Sequence, residues 1–336
     1  MKKILITGGA GFIGTNLALR LLQDKKNVVI ILDNLSRAGS EINLKFLLSR
    51  NFENLKFING DIRDYRLLRK VTKGIDCVFH LAAQVAVTSS IKNPVEDFEI
   101  NAMGTLYLLE ACRKNVKDAL FLYASTNKVY GSLSHLKVRQ LKTRYTLVDR
   151  IGGIDESETL DFHSPYGCSK GAGDQYVRDF SRIYNMNTVV FRQSCIYGQY
   201  QHGNVDQGWV VHFVKKALDG KKITIYGDGK QVRDILHVDD LIDAYLKILE
   251  NKDRCAGKIF NVGGGMKNTF SLLELIDYLE YLLGRKIEYR FESWRPGDQK
   301  VFISNNKRLE MLIDWRPKIN KQEGIKRLVE WVKENR

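Results

Sequence analysis

The chain has 336 residues, enough to bury one large core or a large core with a smaller companion, and its 44% hydrophobic and 27% charged residues exclude a disordered or collagen-like chain. No apolar run approaches the roughly 20 residues that a bilayer span requires. The formal charge of +14 arises from scattered lysines such as Lys25-Lys26, Lys215-Lys216 and Lys221-Lys222, with no basic block or interleaved aromatics, so neither nucleic-acid nor membrane binding is expected.

In chain order, the opening MKKILITGG holds too short an apolar run for a signal peptide and passes straight into glycines, so it reads as a strand over 3–7. Gly8, Gly11 and Gly14 follow, and the pattern Ile13, Leu17, Leu21 then predicts a helix over 12–22. Strand, glycine turn and helix in that order form a dinucleotide site. Gly8 allows the sharp turn, Gly11 lets backbone approach a pyrophosphate, and Gly14 lets helix pack on strand. The helix N-terminus at Phe12 and Ile13 offers N–H groups to phosphate.

Further strands are expected at 28–33, 55–61, 77–81, 120–125 and 188–192, alternating with helices at 64–71, 94–113 and one beginning near Tyr166. This is the rhythm of a parallel α/β sheet. Asp33 closes the second strand, where a carboxylate accepts ribose hydroxyls and repels a 2′-phosphate. NAD is therefore expected rather than NADP, although Arg37 lies nearby. Asp61 and Ile62 close the third strand and are candidates to flank the adenine.

Beyond about residue 193 the regularity breaks into short strands (223–226, 258–262, 286–291) mixed with helices (271–282, 324–334). The expected architecture is a doubly wound parallel Rossmann sheet over 1–192 with a smaller C-terminal α/β substrate-binding cap over 193–336, interleaved with the sheet. Residues 132–163 lack clear periodicity and are expected to form a lid-like insertion or to hide short elements. The five cysteines, Cys77, Cys112, Cys168, Cys195 and Cys255, are widely spaced without a CxxC, and the six histidines include no HExxH. A reducing cytoplasm is expected, with no disulfide framework and no metal site.

The strand over 120–125 runs into Ser125-Thr126-Asn127-Lys128-Val129-Tyr130-Gly131, and Tyr166-Gly167-Cys168-Ser169-Lys170 comes 40 positions after Thr126. Tyr166 and Lys170, four apart on a helix, share one face. An ammonium beside a phenol draws its pKa from about 10 toward neutrality, which makes Tyr166 a base for a sugar hydroxyl with Thr126 orienting the proton.

The set GGAGFIG, STNKVYG, YGCSK and Tyr226-Gly227-Asp228-Gly229 through Gln231, Arg233-Asp234 and His237 resembles the extended short-chain dehydrogenase/reductase family, in its NAD-dependent epimerase/dehydratase class. The resemblance covers nearly the whole chain. It implies NAD on the sheet domain, a nucleotide sugar under the cap, and a catalytic trio at Thr126, Tyr166 and Lys170. Further cofactor contacts are implied at Asn34, Ser36, Leu81, Ala82, Ala83, Gln84 and Asn101. Substrate contacts are implied at Thr126, Asn127, Gln193, Gln207, Val210, Tyr226 and Gln231, with Arg233, Arg295 and Asp298 on the diphosphate and its ribose. Relatives are usually homo-oligomers, and the same is expected here.

Dehydratases of this class carry acids directly after the catalytic Thr; here Asn127 and Lys128 stand there, which favours epimerisation. DNLSRAG (33–39), AVTSSI (86–91), DFHSP (161–165) and DQGWV (206–210) resemble the subgroup that inverts C2 of a CDP-linked deoxyhexose. Cys195 stands where the broad class often has Asn, leaving an amide contact missing or supplied elsewhere. The alternatives are a UDP-hexose 4-epimerase, proton-exchange epimerisation by Cys168 and His163, and a non-catalytic nucleotide-binding protein.

Overall fold

Seven short runs rich in β-branched and aromatic residues pair side by side, every pairing parallel. Across the sheet the order is Lys258–Val262, Thr188–Gln193, Leu120–Thr126, Cys77–His80, Lys2–Thr7, Asn27–Asp33 and Leu55–Asn59. The computed structural model describes residues 1–295 and 297–335.

Side chains alternate across the pleat, so each strand feeds two cores. Ile4, Ile6, Phe79, Leu122, Phe191 and Phe260 face one way, against the helices Phe12–Leu22, Ser40–Ser49 and Val238–Glu250. Leu5, Val78, Phe121, Tyr123 and Val190 face the other, against Tyr65–Val71, Gly104–Asn115 and Ser164–Tyr184. The strand order reverses between Lys2–Thr7 and Cys77–His80, and a cleft for ligand opens at the carboxyl ends there.

A second lobe packs Trp209–Leu218, Leu272–Leu283 and Lys321–Glu334 around Ile223, Ile225 and Ile235. Its central strand, Val232–His237, pairs antiparallel with Thr269–Ser271 and parallel with Val301–Phe302 and Cys195–Tyr197. The chain then returns to the large sheet: Lys258–Val262 forms its outer strand beside Thr188–Gln193.

The predicted helix over 94–113 is present but interrupted. Pro94–Phe98 passes through a π-helical turn at Glu99–Met103 before Gly104–Asn115. Such a turn often marks a functional site, and here it carries Asn101. Residues 132–163 hide a short hairpin, Val138–Gln140 with Tyr145–Leu147, and Ile154 bridges to Ser304. Val129, Leu133, Ile154 and Phe302 make a small core of their own, so this segment runs along the second lobe. The helices Ser40–Ser49, Trp209–Leu218 and Val238–Glu250 lie in stretches where the sequence predicted no helix.

Candidate active site

The glycine turn is built around backbone that leaves no room for side chains. A Cβ on Gly14 would lie 2.5 Å from the Gly8 carbonyl oxygen, and one on Gly8, whose φ is +69°, would lie 2.7 Å from the Ala82 nitrogen. The helix Phe12–Leu22 starts at Gly11 with no side-chain cap and no acid in its first turn, so its N-terminal N–H groups are available to an anion. Asp33 is held at the end of its strand: Ala10 N–H donates to Oδ2 at 3.0 Å and Leu35 N–H to Oδ1 at 2.9 Å. Burial pushes its carboxyl upward against those two bonds. Asp61 takes a bidentate grip from Arg63 at 3.0 and 2.7 Å and a bond from Asn34 at 2.9 Å, and these hold it down at about 2.

This turn opens onto a cavity of about 640 Å³, the size of a small-molecule site. Gly8, Gly11, Phe12, Ile13, Gly14, Asp33, Asn34, Ser36, Arg37, Asp61, Ile62, Leu81, Ala82, Ala83 and Gln84 line it, so the residues present fit a dinucleotide. Thr126, Asn127, Lys128, Tyr166, Lys170, Gln193, Cys195, Gln207 and Val210 line the same cavity from the other side. Asn101 does not reach the wall. It stands behind Gln84, bonded to its backbone both ways at 2.9 and 3.0 Å. Tyr226, Gln231, Arg233, Arg295 and Asp298 also lie outside the lining, although Arg233 and Asp298 form one ion pair at 2.6 Å. Arg295 lies 4.0 Å over the Tyr226 ring. No residue of 132–163 lines the cavity.

Tyr166 enters from the first turn of Ser164–Tyr184, its backbone N–H bonded to Ser90 Oγ at 3.1 Å. Lys170 follows one turn later, but the expected ammonium–phenol contact is not made. Its Nζ donates to the Ala124 carbonyl at 2.6 Å and sits 4.1 Å over the Tyr123 ring. Burial lifts the Tyr166 phenol to about 12, against a hydrogen bond from Thr126 and the nearby charge of Arg37. The phenol is thus not drawn toward neutrality in this arrangement, because desolvation outweighs both. Burial pushes Lys170 down to about 7, with Asp174 and then Asp97 opposing.

Asn127 and Lys128 point to the 297–299 segment rather than acting as acids. Asn127 Nδ2 donates to Gln299 Oε1 at 3.0 Å and Lys128 Nζ to the Gly297 carbonyl at 3.2 Å. Cys195 accepts from Trp209 Nε1 at 3.5 Å, and burial pushes its thiol up, which makes it a poor nucleophile.

Several residues that sequence reasoning missed shape this site. Asn43 donates to the Ala10 carbonyl at 3.2 Å and the Tyr200 carbonyl at 3.1 Å, while Asn16 reaches the Gln199 carbonyl at 3.1 Å; these tie the glycine turn to the second lobe. His80 joins Thr7 and Thr105 at 2.7 and 2.9 Å and is held neutral, down at about 3, by burial. Asp97 accepts from Gln84 and Ser169 beneath the site. An isolated acid or His in sequence carries no sign of such partners, and only the apolar run Cys77-Val78-Phe79 before His80 marks a buried strand end there.

Residues 4–263 match the NAD dependent epimerase/dehydratase family. The chain is 47% identical over 98% of both chains to CDP-paratose 2-epimerase of Salmonella typhi. It is 35% identical over 99% of both to a putative UDP-glucose 4-epimerase of Methanocaldococcus jannaschii. Among solved structures, UDP-glucuronic acid 4-epimerase from Bacillus cereus, in complex with UDP-glucuronic acid and NAD, superposes with a TM-score of 0.87 at 29% identity, covering 99% of this chain and 100% of that one. With that cavity, that turn and these likenesses, the chain belongs to the NAD dependent epimerase/dehydratase family.

Proposed function

We propose that the chain is an NAD-dependent epimerase that inverts C2 of a CDP-linked deoxyhexose. The observation that carries this is a single cavity bounded by the dinucleotide turn and Asp33 on one side and by Thr126, Tyr166 and Lys170 on the other. The 47% identity to CDP-paratose 2-epimerase supports the choice of base, sugar and carbon.

NAD, when bound, would supply the reversible hydride acceptance that oxidation and reduction of the sugar carbon require. Tyr166 takes the proton of the C2 hydroxyl as that carbon is oxidised and gives it back after the ketosugar has turned over. Thr126, which faces the phenol and opposes the rise of its pKa, orients that proton. For Tyr166 to act as base its phenol must fall from about 12, and Lys170 and Arg37 are cations that share the cavity with it. Asp33 would hold the adenosine ribose and the turn at 8–14 the pyrophosphate. Asn127, Gln193, Gln207 and Val210 bound the sugar side. The family resemblance assigns the nucleotide diphosphate and its ribose to Arg233, Arg295 and Asp298, which stand outside the cavity lining, Arg233 and Asp298 paired with each other. No carboxylic acid follows Thr126, which disfavours elimination of water.

A homo-oligomer is supported by apolar side chains left exposed on neighbouring helices: Val95 and Phe98 near one, Tyr176 and Ile183 on the other. The five free cysteines support a reducing cytoplasm. Among the described residues no helix is long and apolar enough to cross a membrane.

The test is incubation with CDP- and UDP-hexoses in deuterated water, followed by NMR. The proposal expects inversion at C2 of a CDP-sugar with no deuterium at the inverted carbon. Inversion at C4 of a UDP-hexose alone would replace it with the 4-epimerase reading, and deuterium at C2 would replace hydride return with proton exchange.

A further inference from the structure

The Tyr166–Lys170 couple lies above a buried carboxylate that the mechanism does not use. Asp97 is 1% exposed, in the short helix Pro94–Phe98. Gln84 Nε2 donates to its Oδ1 at 2.7 Å, Asn101 Nδ2 to the same oxygen at 3.2 Å, and Ser169 Oγ to Oδ2 at 2.5 Å. The two amides have no freedom to flip. Gln84 pairs with Ala86, giving to its carbonyl at 2.9 Å and taking from its N–H at 2.5 Å. Asn101 is fixed by its reciprocal bonds with the Gln84 backbone. Both therefore aim N–H groups at Asp97; burial pushes its carboxyl upward, and the bonds from Ser169 and Gln84 and the charge of Lys170 oppose that rise.

A buried anion calls for a cation, and among the described residues none lies within ion-pair distance of Asp97. The converse holds on the next turn of Ser164–Tyr184: Lys170 is 3% exposed and its ammonium has a carbonyl and an aromatic ring for partners, with no carboxylate in contact. Asp174, on the same helix, is already matched by Arg192 through two bonds of 2.9 Å. Lys170 is the cation whose charge acts on Asp97, and it follows directly after the Ser169 that bonds Asp97.

We propose that Asp97 is the counter-charge that keeps Lys170 an ammonium in the buried site, a positioning residue that acts on the base through Lys170. The inference rests on the reading of Tyr166 and Lys170 as the proton-handling pair. The groups facing Lys170 are Asp174 on its own helix, Asp97 from Pro94–Phe98, neutral His80 from Cys77–His80, and Tyr123 from Leu120–Thr126. Those facing Tyr166 are Asp97, Arg37 and Thr126. Ser169 is the link: its Oγ donates to Asp97 and lies 3.2 Å from the Tyr166 carbonyl oxygen. Of the two carboxylates that favour charged Lys170, Asp97 is the one without a cation of its own.

The test reads the protonation of Lys170 without any substrate. Pulse labelling with acetic anhydride at a series of pH values, followed by mass spectrometry of the Lys170 peptide, gives the midpoint at which the amine becomes reactive. In Asp97→Asn that midpoint is expected to fall by about one pH unit or more, and the alkaline limb of turnover with it. Asp97→Glu keeps the charge and leaves the midpoint in place. If Asp97→Asn does not fold, Asp97→Ser, a smaller neutral replacement, gives the same displacement. A midpoint that stays put in the neutral variants, even with activity reduced, assigns Asp97 to structure alone and overturns the proposal. Because labelling needs no sugar nucleotide, a wrong substrate assignment shows up separately, as absent turnover in the parent enzyme.

Discussion

The guanidinium of Arg192 and the carboxylate of Asp174 meet through two parallel hydrogen bonds of 2.9 Å, both side chains buried between the sheet and the helix Ser164–Tyr184. Ser125 Oγ adds a third bond to Asp174 at 2.7 Å, and Tyr130 OH accepts from Arg192 at 3.1 Å. The pair thus ties the strand end carrying Thr126 to the helix carrying Tyr166. Arg192→Met strands the carboxylate and is expected to cost about 3–5 kcal/mol in urea unfolding. The double variant Asp174→Leu/Arg192→Met, which removes both charges, is expected to recover part of that loss. Equal losses in single and double variants would show that the pair is not the source.

Tyr166→Phe removes the phenol oxygen and leaves the ring that fills the wall. Turnover is expected to drop by about 10²–10⁴-fold, with copurified NAD and affinity for CDP little changed. Mass spectrometry of the bound nucleotide together with an NMR turnover assay checks both halves. Unchanged turnover would move the base elsewhere.

Lys170 links activity and stability to pH with opposite signs. Burial lowers it to about 7 from an ordinary 10.5, so between those values the unfolded chain binds a proton that the folded chain does not. Stability then rises with pH across that window, because the unfolded state holds more protons. The difference in unfolding free energy between the parent protein and Lys170→Met is expected to shift in favour of the parent from about pH 7 to pH 10. Turnover, which needs the ammonium, is expected to fall over the same range. Denaturant titrations of the ligand-free proteins at several pH values measure the first trend, and initial rates the second.

Gly14 and Gly74 separate crowding from backbone preference. At Gly14 an added methyl meets Gly8 O and Gly9 Cα at 2.5 Å, both backbone, so Gly14→Ala is expected to lose bound NAD and about 1–3 kcal/mol of stability. At Gly74, φ +65°, the nearest atom is the flexible Lys3 Nζ at 3.8 Å. Gly74→Ala therefore costs about 1–2 kcal/mol from its left-handed backbone alone and keeps its cofactor. Cofactor content by absorbance and thermal unfolding distinguish the two.

The cofactor half of the site was legible because its signals are local: strand, Gly8, Gly11, Gly14 and helix sit within a dozen residues, and Asp33 closes the next strand. The Tyr166–Lys170 spacing was legible for the same reason, being one helical turn. What that spacing did not reveal was where the ammonium goes, since its carbonyl partner, Ala124, comes from a strand far away in sequence. Asp97 was illegible for a similar reason. An acid in a helix's first turn reads as a cap, and its burial depends on Gln84, Asn101 and Ser169 from three other segments. In the second lobe, WVVHFVKKAL does carry a helical period, with Val210, Phe213, Val214 and Ala217 buried on one face, but at ten residues it is short and the irregular rhythm around it obscures it. The ion pair of Arg233 with Asp298 could not be inferred from either residue alone.

The last strand added to the large sheet, Lys258–Val262, is made only after the chain has passed through much of the second lobe. During synthesis, therefore, no finished nucleotide-binding half leaves the ribosome ahead of the rest. The outer edge of Thr188–Gln193 stays bare, with unpaired backbone groups open to association, until Val262 is available to close it. A fragment cut after Gln193 inherits that open edge permanently. The two lobes thus mature as one cooperative assembly, and any engineered exchange of the second lobe has to carry its own closing strand.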